Sequence, residues 1–500
     1  MLRTLATLVF LLPATALAQT EVDGAPVPGQ YLFKAVNAST AELVQDRIEE
    51  ITGEGTSSMA RLSNRLNMYI IKYPPPPHQE DSDAINEIFS GAEDDGSIIW
   101  NEPNRIIDAH GQTGSLWVSG LGIDATSYRD QYAARQMELQ RTHADNARGA
   151  GTLVAIIDTG IDPDHPALEG RVSDLGANMI VNQTETDDSG NGVHAGHGTF
   201  VAGLVALVAP DARLLPVTVL KPDGTGVSSD VADGILHAVD QGAHVIVLAL
   251  GTTTQSNAMR EAIDIAIMNG ATVLAAAGNT LPSPTEPSIL FPASYNGLHG
   301  GNIGVLAVGG CNSLGHHATM SNYHWKVALC APAETIMRSD GSPDPAEAVI
   351  GPLPGGEYAA GNGTSFSTGF AAGVAALARS QHRSWPDEHV VAGMIAYHVT
   401  NKVDESTTYV TMPAEPSNPI EDKPMLNAYE GTATGPGLTV IGDMDGDGKV
   451  DGRDLAVLLG AWGPLPANGS LHNMNLIPDD LIDGADLSMI LGSWHSPSDP

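Results

Sequence analysis

The sequence, 500 residues long, is poor in positive charge. It contains 23 Lys and Arg residues against 59 Asp and Glu residues, which gives a formal net charge of −36 at pH 7. This balance argues against nucleic acid or an anionic membrane as a partner, because both are themselves negatively charged. We interpret the acidic composition as a source of solubility. The 17 histidines show no metal-ligand spacing, so they predict no histidine metal site.

Long apolar runs are missing outside the N-terminus. A transmembrane helix needs about 20 apolar residues, and no later stretch approaches that length, so we predict no membrane span in the mature chain. Residues 1–18 combine Arg3, an apolar run and the ending Ala16-Leu17-Ala18, which is typical of a secretory signal peptide. The sequence therefore predicts a secreted protein, which would be extracellular, at the cell surface or periplasmic. The alternative is a retained N-terminal anchor.

Three short motifs, far apart in the chain, carry the chemistry. Asp158 follows the apolar, strand-like run 153–157 and precedes a turn, while His197 and Ser365 each precede an apolar, Ala-rich run typical of a buried helix. Catalytic groups collect at the carboxyl ends of strands in open α/β sheets, and helix N-termini favour developing negative charge. Together the motifs supply the carboxylate, imidazole and hydroxyl of a serine-nucleophile relay. Each motif alone could be a turn, a capping residue or a core residue.

In this order and with these neighbours, the motifs resemble those of the subtilisin-like serine proteases (subtilases, peptidase family S8), since other serine hydrolases order the three residues differently. The resemblance covers roughly residues 140–430. It implies an α/β fold with a doubly wound, mostly parallel sheet, and a serine endopeptidase that acts on protein or peptide substrates without a cofactor for catalysis. His197 is then the base for Ser365, and Asp158 orients His197. The resemblance assigns the oxyanion-hole amide to Asn279.

Three departures from the family pattern bear on substrate binding more than on proton transfer. Gly369 stands where Pro is usual, Phe200 stands where His is usual, and residues 247–251 differ from the usual Asn-Leu-Ser-Leu-Gly. The resemblance still implies uncharged walls for the first specificity pocket, so we expect an apolar or broad preference; these walls are Leu250, Gly251, Ala276, Ala277 and Gly278. The altered strand keeps an alternative open, a calcium-dependent binding or assembly protein whose subtilase domain is inactive or only processes itself.

Residues 19–110 resemble the inhibitor-like propeptide of this family, which would make the chain a zymogen. Periodicity predicts two strands, 30–35 and 68–73, and two helices, 41–51 and 84–89. The apolar face of the first helix is predicted to hold Leu43, Val44, Ile48 and Ile51. Such a small α+β domain would help the catalytic domain to fold and would occupy its cleft until cleavage. The alternative is a plain accessory domain.

Residues 443–454 follow the spacing of an EF-hand calcium loop, with acidic side chains at positions 1, 3, 5, 9 and 12 and a Gly at position 6. The predicted ligands of a structural Ca²⁺ are Asp443, Asp445, Asp447, Lys449, Asp451 and Asp454. The final Asp and the apolar helix that follows resemble a dockerin repeat. Residues 482–494 echo residues 450–462, although the second loop is degraded. The resemblance implies a small α-helical domain with a cohesin-like partner; self-association of the repeat is an equal alternative.

The chain contains 2 cysteines, Cys311 and Cys330, and each follows an apolar, strand-like run in the catalytic region. In the family these two strands are neighbours in the sheet, so the resemblance implies a disulfide in an oxidising compartment. The alternative is two buried free thiols. The complete set of predicted segments is a signal peptide (1–18), a propeptide (19–110), an activation or linker region (111–145), the catalytic domain (146–430), a linker (431–437) and the dockerin-like domain (438–496).

Overall fold

A computed structural model describes most of the chain up to residue 381 and short segments beyond it. The described residues are 23–62, 66–76, 78–108, 123–144, 148–180, 184–188, 190–279, 289–295, 304–324, 326–381, 409–410, 423–424, 426, 463–464 and 481–482. Several predictions fall outside them: the signal peptide, residues 111–122 of the activation region, and the calcium loop with all six of its predicted ligands. Within the described residues, no helix is long and apolar enough to cross a membrane.

The first described part, residues 23–108, is an antiparallel sheet with two helices, which we call the N-terminal unit. Its elements are β1 (Pro26–Ala35), α1 (Ala38–Thr52), β2 (Ser58–Arg61), β3 (Met68–Lys72), α2 (Gln79–Asp94) and β4 (Ile98–Asp108). The strands lie in the order β2-β3-β1-β4. All four predicted elements are thus confirmed, each with somewhat different ends.

The apolar face of α1 differs in one residue from the prediction. Val44 and Ile48 are buried together with Ala41, and they pack with Phe33, Phe89 and other residues of the sheet and α2. Leu43, however, is 58% exposed. Successive residues of a helix point about 100° apart, so a stripe centred on Val44 and Ile48 leaves Leu43 at its solvent edge.

Three short helices follow: α3 (Ala125–Arg129), α4 (Tyr132–Gln136) and α5 (Leu139–Ala144). They lead into a seven-stranded sheet in which every described pairing is parallel. Its strands are β5 (Leu153–Asp158), β6 (Ala177–Asn178), β7 (Arg213–Thr218), β9 (Val245–Leu248), β10 (Thr272–Ala276), β11 (Leu306–Cys311) and β12 (Val327–Pro332). The order is β12-β11-β10-β9-β5-β7-β6, so the chain reverses direction across the sheet between β5 and β9.

Helices cover both faces of this main sheet. They are α6 (His197–Val208) and α9 (Thr364–Gln381) on one face, and α7 (Ser228–Asp240) and α8 (Asn257–Met268) on the other. Alternation along β5 shows why both faces are apolar: Val154 and Ile156 pack in the core with α6 and α9, whereas Ala155 and Ile157 pack in the core with α7 and α8. The expected doubly wound α/β fold is confirmed.

The remaining strands form small pairs or extend the N-terminal unit. Antiparallel pairs join β13 (Val349–Leu353) to β14 (Glu357–Gly361), β15 (Tyr409–Val410) to β16 (Lys423–Pro424), and β17 (Gly463–Pro464) to β18 (Leu481–Ile482). The short strand β8 (Thr225–Val227) precedes α7 and pairs antiparallel with β4. The sheet of the N-terminal unit therefore continues onto β8, which lies in the predicted catalytic domain (residues 146–430, called the catalytic region below).

The implied disulfide is absent: Cys311 and Cys330 are both buried, and they do not form a disulfide bond. The strands that carry them are indeed neighbours, but Cys330 pairs with Gly309, and Cys311 pairs with Pro332. An offset of two residues between parallel strands places the Cα atoms about 8 Å apart, from the strand spacing and the rise per residue. A disulfide rarely spans more than about 7 Å between Cα atoms, so this register separates the two thiols.

Candidate active site

Asp158 lies at the carboxyl end of β5, where the direction of the chain reverses across the sheet. Open α/β sheets place their ligand and catalytic groups at such points. The Asp158 side chain is fully buried, and its Oδ1 accepts a hydrogen bond from the Thr159 amide at 2.8 Å. Gly160, with φ at 125°, turns the chain away immediately afterwards. The carboxylate is thus held at the sheet edge by the turn that follows it.

His197 is the first residue of α6, and its side chain is 3% exposed. Its Nδ1 lies 2.8 Å from Asp158 Oδ1 and 2.9 Å from Oδ2. Burial alone lowers the pKa of His197, but the charge and hydrogen bond of Asp158, with the charge of Asp188, outweigh burial and raise that pKa above its usual value. A carboxylate on Nδ1 leaves Nε2 as the atom that can accept a proton.

Ser365 is the second residue of α9 and is almost fully buried. Its Oγ donates a hydrogen bond to the Ala249 carbonyl, just beyond β9, at 3.1 Å. The next side chain, Phe366, places its ring centroid 6.0 Å from that of His197 and 4.1 Å from that of Phe200. The structure therefore brings Ser365 to the same strand ends as Asp158 and His197.

Phe200 and Gly369, which replace the usual His and Pro of the family, have a steric explanation in this packing. Phe200 stacks on Phe366 and so joins α6 to α9. At Gly369 an added Cβ would lie 3.1 Å from the Val201 carbonyl oxygen and 3.3 Å from Leu204 Cβ. The helices that carry His197 and Ser365 are therefore in close contact, and a small residue at position 369 suits that contact.

Asn279 follows β10 in the chain, is buried, and is hydrogen-bonded to the first residue of α9. Its Oδ1 accepts hydrogen bonds from the Thr364 amide at 2.8 Å and from Thr364 Oγ1 at 2.9 Å. Because the amide oxygen is occupied in this way, the amide presents its NH₂ group as the donor. An NH₂ donor beside a helix N-terminus can stabilise an oxyanion that forms next to Ser365.

The predicted pocket walls lie at the ends of two neighbouring strands. Leu250 and Gly251 follow β9, and Ala276, Ala277 and Gly278 end or follow β10, which pairs with β9. All five are buried and uncharged. Gly278 has φ at 110°, and an added Cβ would lie 2.6 Å from Asn322 Nδ2. The structure brings this set together next to Asn279.

Sequence reasoning missed two polar residues that contact the segment around His197. The Asp188 carboxylate accepts hydrogen bonds from the Gly196 and Thr199 amides, and Thr159 Oγ1 accepts one from the Gly198 amide. No periodicity links position 188 to position 197, so the only available signal was an acidic residue before a Gly-rich loop. His194 also lies close, with its ring centroid 6.2 Å from that of His197.

A buried aspartate–histidine pair and a serine at a helix N-terminus, gathered at the switch point of a parallel sheet, define the class of subtilisin-like serine endopeptidases. The profile of the subtilase family matches residues 149–412. The chain is 35% identical over 267 residues to thermitase of Thermoactinomyces vulgaris, a match that covers 51% of this chain and 85% of thermitase. The chain belongs to the subtilase family.

Two further proteins resemble the chain, one in sequence and one in structure, and the matches cover different shares of the chain. The chain is 34% identical over 268 residues to subtilisin NAT of Bacillus subtilis subsp. natto, which covers 52% of this chain and only 63% of that protein. Fervidolysin of Fervidobacterium pennivorans, described as a keratinolytic enzyme related to subtilisin, superimposes with a TM-score of 0.60 at 19% identity, over 83% of this chain and 62% of fervidolysin. The last likeness shows a shared fold.

Proposed function

We propose that the chain is a secreted serine endopeptidase, made as a zymogen, that hydrolyses peptide bonds with Asp158, His197 and Ser365. One observation carries the proposal: the buried Asp158–His197 pair lies beside a serine at the start of α9. Membership of the subtilase family supports the same activity. Secretion rests on the pattern of residues 1–18 and on no other observation.

In the proposed reaction, Ser365 Oγ attacks the carbonyl carbon of the scissile peptide bond while His197 Nε2 takes its proton. The resulting oxyanion lies near the Asn279 NH₂ group and the Ser365 amide. His197 then returns the proton to the leaving amine, and water repeats the two steps to release the acyl group. Asp158 holds the imidazole in the required tautomer and stabilises the imidazolium.

The state of His197 fixes the acid limb of the pH profile. The base must be neutral to accept a proton, and Asp158 raises the pKa of His197 above that of an ordinary histidine. The rate should therefore fall with decreasing pH, with a midpoint above the value near 6.5 of an unperturbed histidine. A kcat/KM that stays constant down to pH 4 would contradict His197 as the base.

The contacts of β4 support an inhibitory role for the N-terminal unit. Its last residues pair antiparallel with β8, with Ile106 opposite Val227, Ile107 opposite Gly226 and Asp108 opposite Thr225. Addition of an extended strand to the edge of a strand or sheet is a common mode of peptide recognition. We propose that residues 106–108 occupy a position that substrate would otherwise take.

Side chains of the N-terminal unit also contact α8 of the catalytic region. Glu102 accepts hydrogen bonds from the amides of Asn257 and Ala258 at the start of α8. Further along α8, Glu261 accepts from Trp100 Nε1 and pairs with Lys34, both at 2.7 Å. These partly buried contacts make the N-terminal unit a specific ligand of the catalytic region, as a propeptide requires.

The site favours extended, apolar peptides as substrates. Ile107 is completely buried and packs in the same apolar core as Val231 and Leu250. The pocket walls after β9 and β10 carry no charge. We therefore propose an apolar or broad preference at these positions, with backbone pairing to β8 supplying much of the affinity.

The C-terminal residues 438–496 are proposed to fold around one structural Ca²⁺ held by the loop 443–454. Closely spaced Asp side chains repel one another until a cation binds, so folding should depend on calcium. The proposal rests on the loop spacing and the echo of residues 450–462 in residues 482–494. A cohesin-like partner for this domain is a further proposal.

Casein hydrolysis by the processed protein, beside the Ser365→Ala variant, tests the activity. The variant should lose activity by at least about 10⁴-fold, because the nucleophile is gone. Equal hydrolysis by both proteins would overturn the proposal. A fluorophosphonate probe gives a second test, since it should label Ser365 in the wild-type protein. Failure to label would favour the alternative of a binding or assembly protein.

A further inference from the structure

A second buried carboxylate, that of Asp188, lies beside the Asp158–His197 pair. It is 6% exposed. Its Oδ1 accepts a hydrogen bond from the Gly196 amide at 2.9 Å, and its Oδ2 accepts from the Thr199 amide at 3.0 Å and from Thr199 Oγ1 at 2.7 Å. These donors flank His197 on both sides. The carboxylate therefore holds the backbone segment that aims the imidazole.

The start of α6 needs such an outside acceptor. Its N-cap is Gly196, which has φ at 92° and no side chain to accept hydrogen bonds from the first turn. The first amides of a helix have no partner within the helix. Asp188 and Thr159 supply those partners, since Thr159 Oγ1 accepts from the Gly198 amide at 3.0 Å.

Asp188 is also tied to the turn that follows Asp158. The Ile161 amide donates a hydrogen bond to the Thr186 carbonyl, two residues before Asp188, at 2.7 Å. The two segments approach so closely that a Cβ on Gly160 would lie 2.9 Å from the Asp188 amide nitrogen. Asp188 thus connects the chain segment of the catalytic aspartate to that of the catalytic histidine.

This arrangement is costly, which argues that it has a use. Burial raises the pKa of Asp188 to about 6, although its hydrogen bonds to Gly196 and Thr199 lower that pKa. The residue also has φ at 58°, in the left-handed region that non-glycine residues seldom adopt. Buried charge and backbone strain of this kind cluster at functional sites.

We propose that Asp188 is a positioning residue for the catalytic histidine, which holds the first turn of α6 against the Asp158 turn and adds a second negative charge that stabilises the imidazolium. The proposal rests on the activity proposed above. The ionisable groups that face the imidazole include Asp158 at the end of β5, Asp188 on its loop and the neighbouring ring of His194.

The first test measures the charge effect without turnover. In the unprocessed Ser365→Ala protein with labelled histidine side chains, NMR titration gives the pKa of His197 directly. Asp188→Asn removes one negative charge, so that pKa should fall by about 0.5 to 1 unit. Glu185→Gln is the matched control, since it removes an exposed charge three residues away and should leave the pKa unchanged. An unchanged pKa in Asp188→Asn would overturn the charge effect, whether or not the protein proves to be a protease.

The second test measures positioning. In the active protein, Asp188→Asn should lower kcat by about 10-fold or more with little change in KM, because a misplaced base weakens the transition state more than substrate binding. The acid limb of kcat/KM should move to lower pH with the pKa of His197. A rise in KM with unchanged kcat would contradict the proposal.

Thr199→Val covers the case in which Asp188→Asn does not fold. It keeps the carboxylate and removes one of its hydrogen bonds, so kcat should fall a few-fold while the pKa of His197 stays within about 0.2 unit. An unchanged kcat in folded Thr199→Val would overturn the positioning role.

Discussion

The four described helices that pack on the main sheet begin in two different ways. At α6 and α9, the hydrogen-bond acceptors for the first amides come from the catalytic region itself. Asp188 accepts from the Thr199 amide, and Asn279 accepts from the Thr364 amide. At α7 and α8, the N-terminal unit supplies acceptors as well, although α8 also has an N-cap of its own, since Ser256 Oγ accepts from the Met259 amide at 3.3 Å. Asn104 Oδ1 accepts from the Ser229 amide at 3.0 Å, and Glu102 accepts from the first two amides of α8 at 2.8 and 3.1 Å.

This difference separates the catalytic helices from the helices that dock the N-terminal unit. The N-terminus of a helix carries about half a positive charge and several unsatisfied amides. Release of the N-terminal unit would expose those groups at α7 and α8, while the first turns of α6 and α9 would keep their partners. The site is therefore built to stay intact after the proposed maturation.

The largest effect is expected from Asp158→Asn in the processed protein, which tests whether the site works without the N-terminal unit. The variant should lower kcat by about 10⁴-fold, because an amide at this position favours the wrong tautomer of His197. Steady-state hydrolysis of a peptide ester or amide measures the loss. Asp164→Asn, an exposed aspartate six residues further on, is the matched control and should be close to wild type. A loss below about 10-fold in Asp158→Asn would mean that the pair is not part of the relay.

A second prediction concerns the acceptor at α9. Asn279→Ala should lower kcat by about 10²- to 10³-fold with little change in KM, since the NH₂ group acts on the oxyanion. The same change also removes the acceptor of Thr364. Thr364→Val separates the two effects, because it removes one hydrogen bond to Asn279 and keeps the amide; its loss should be about 10-fold or less. Equal losses in the two variants would assign Asn279 a structural role only.

A third prediction tests the acceptors that the N-terminal unit supplies. In the unprocessed Ser365→Ala protein, Glu102→Gln should speed hydrogen exchange at the Asn257 and Ala258 amides by about 10-fold, because it removes a charged acceptor at a helix N-terminus. Exchange in the first turns of α6 and α9 should not change. Glu87→Gln, an exposed change on α2, is the control. Faster exchange at all four helices would show that their ends are not independent.

The smallest effect is expected from pH at the start of α7. Asp230 lies in the first turn of α7, and burial raises its pKa to about 6, with Lys72 of the N-terminal unit acting in the opposite direction. Its protonated form is thus favoured in the docked state relative to an exposed aspartate, whose pKa is near 3.9. Docking should weaken as pH rises from about 4 through 6.

Protection of the β8 amides in the unprocessed Ser365→Ala protein reports this docking. After correction for the intrinsic pH dependence of exchange, protection should fall a few-fold between pH 4.5 and 7.5. Asp230→Asn cannot ionise, so its protection should be nearly constant over that range. A variant that keeps the wild-type dependence would place the titrating group elsewhere.

Much of the architecture was predictable because it depends on local patterns. The apolar run before Asp158 and those after His197 and Ser365 were expected to form a buried strand and two helices, and β5, α6 and α9 confirm them. Long apolar runs of this kind have few other ways to bury their side chains. The exposed Leu43 shows the limit of such reasoning, since periodicity determines which stripe is apolar better than it determines the edges of the stripe.

The disulfide prediction failed for a different reason. Neighbouring strands were expected correctly, but the pairing of Cys330 with Gly309 depends on register. Register in a parallel sheet follows from the packing of helices on both faces and from the lengths of the crossovers. None of these quantities is encoded near either cysteine.

By itself, the sequence determined which chemical groups are available and on which kinds of element they lie: a carboxylate after a strand, an imidazole and a hydroxyl at helix starts, and an amide after a Gly. These are properties of short segments, where spacing and polarity act directly on the backbone. Only the tertiary structure decided that Asp188 reaches the start of α6 and that Glu102 reaches the start of α8. Such contacts join residues 11 and about 155 positions apart, and they exist because packing of the whole chain brings their backbones together.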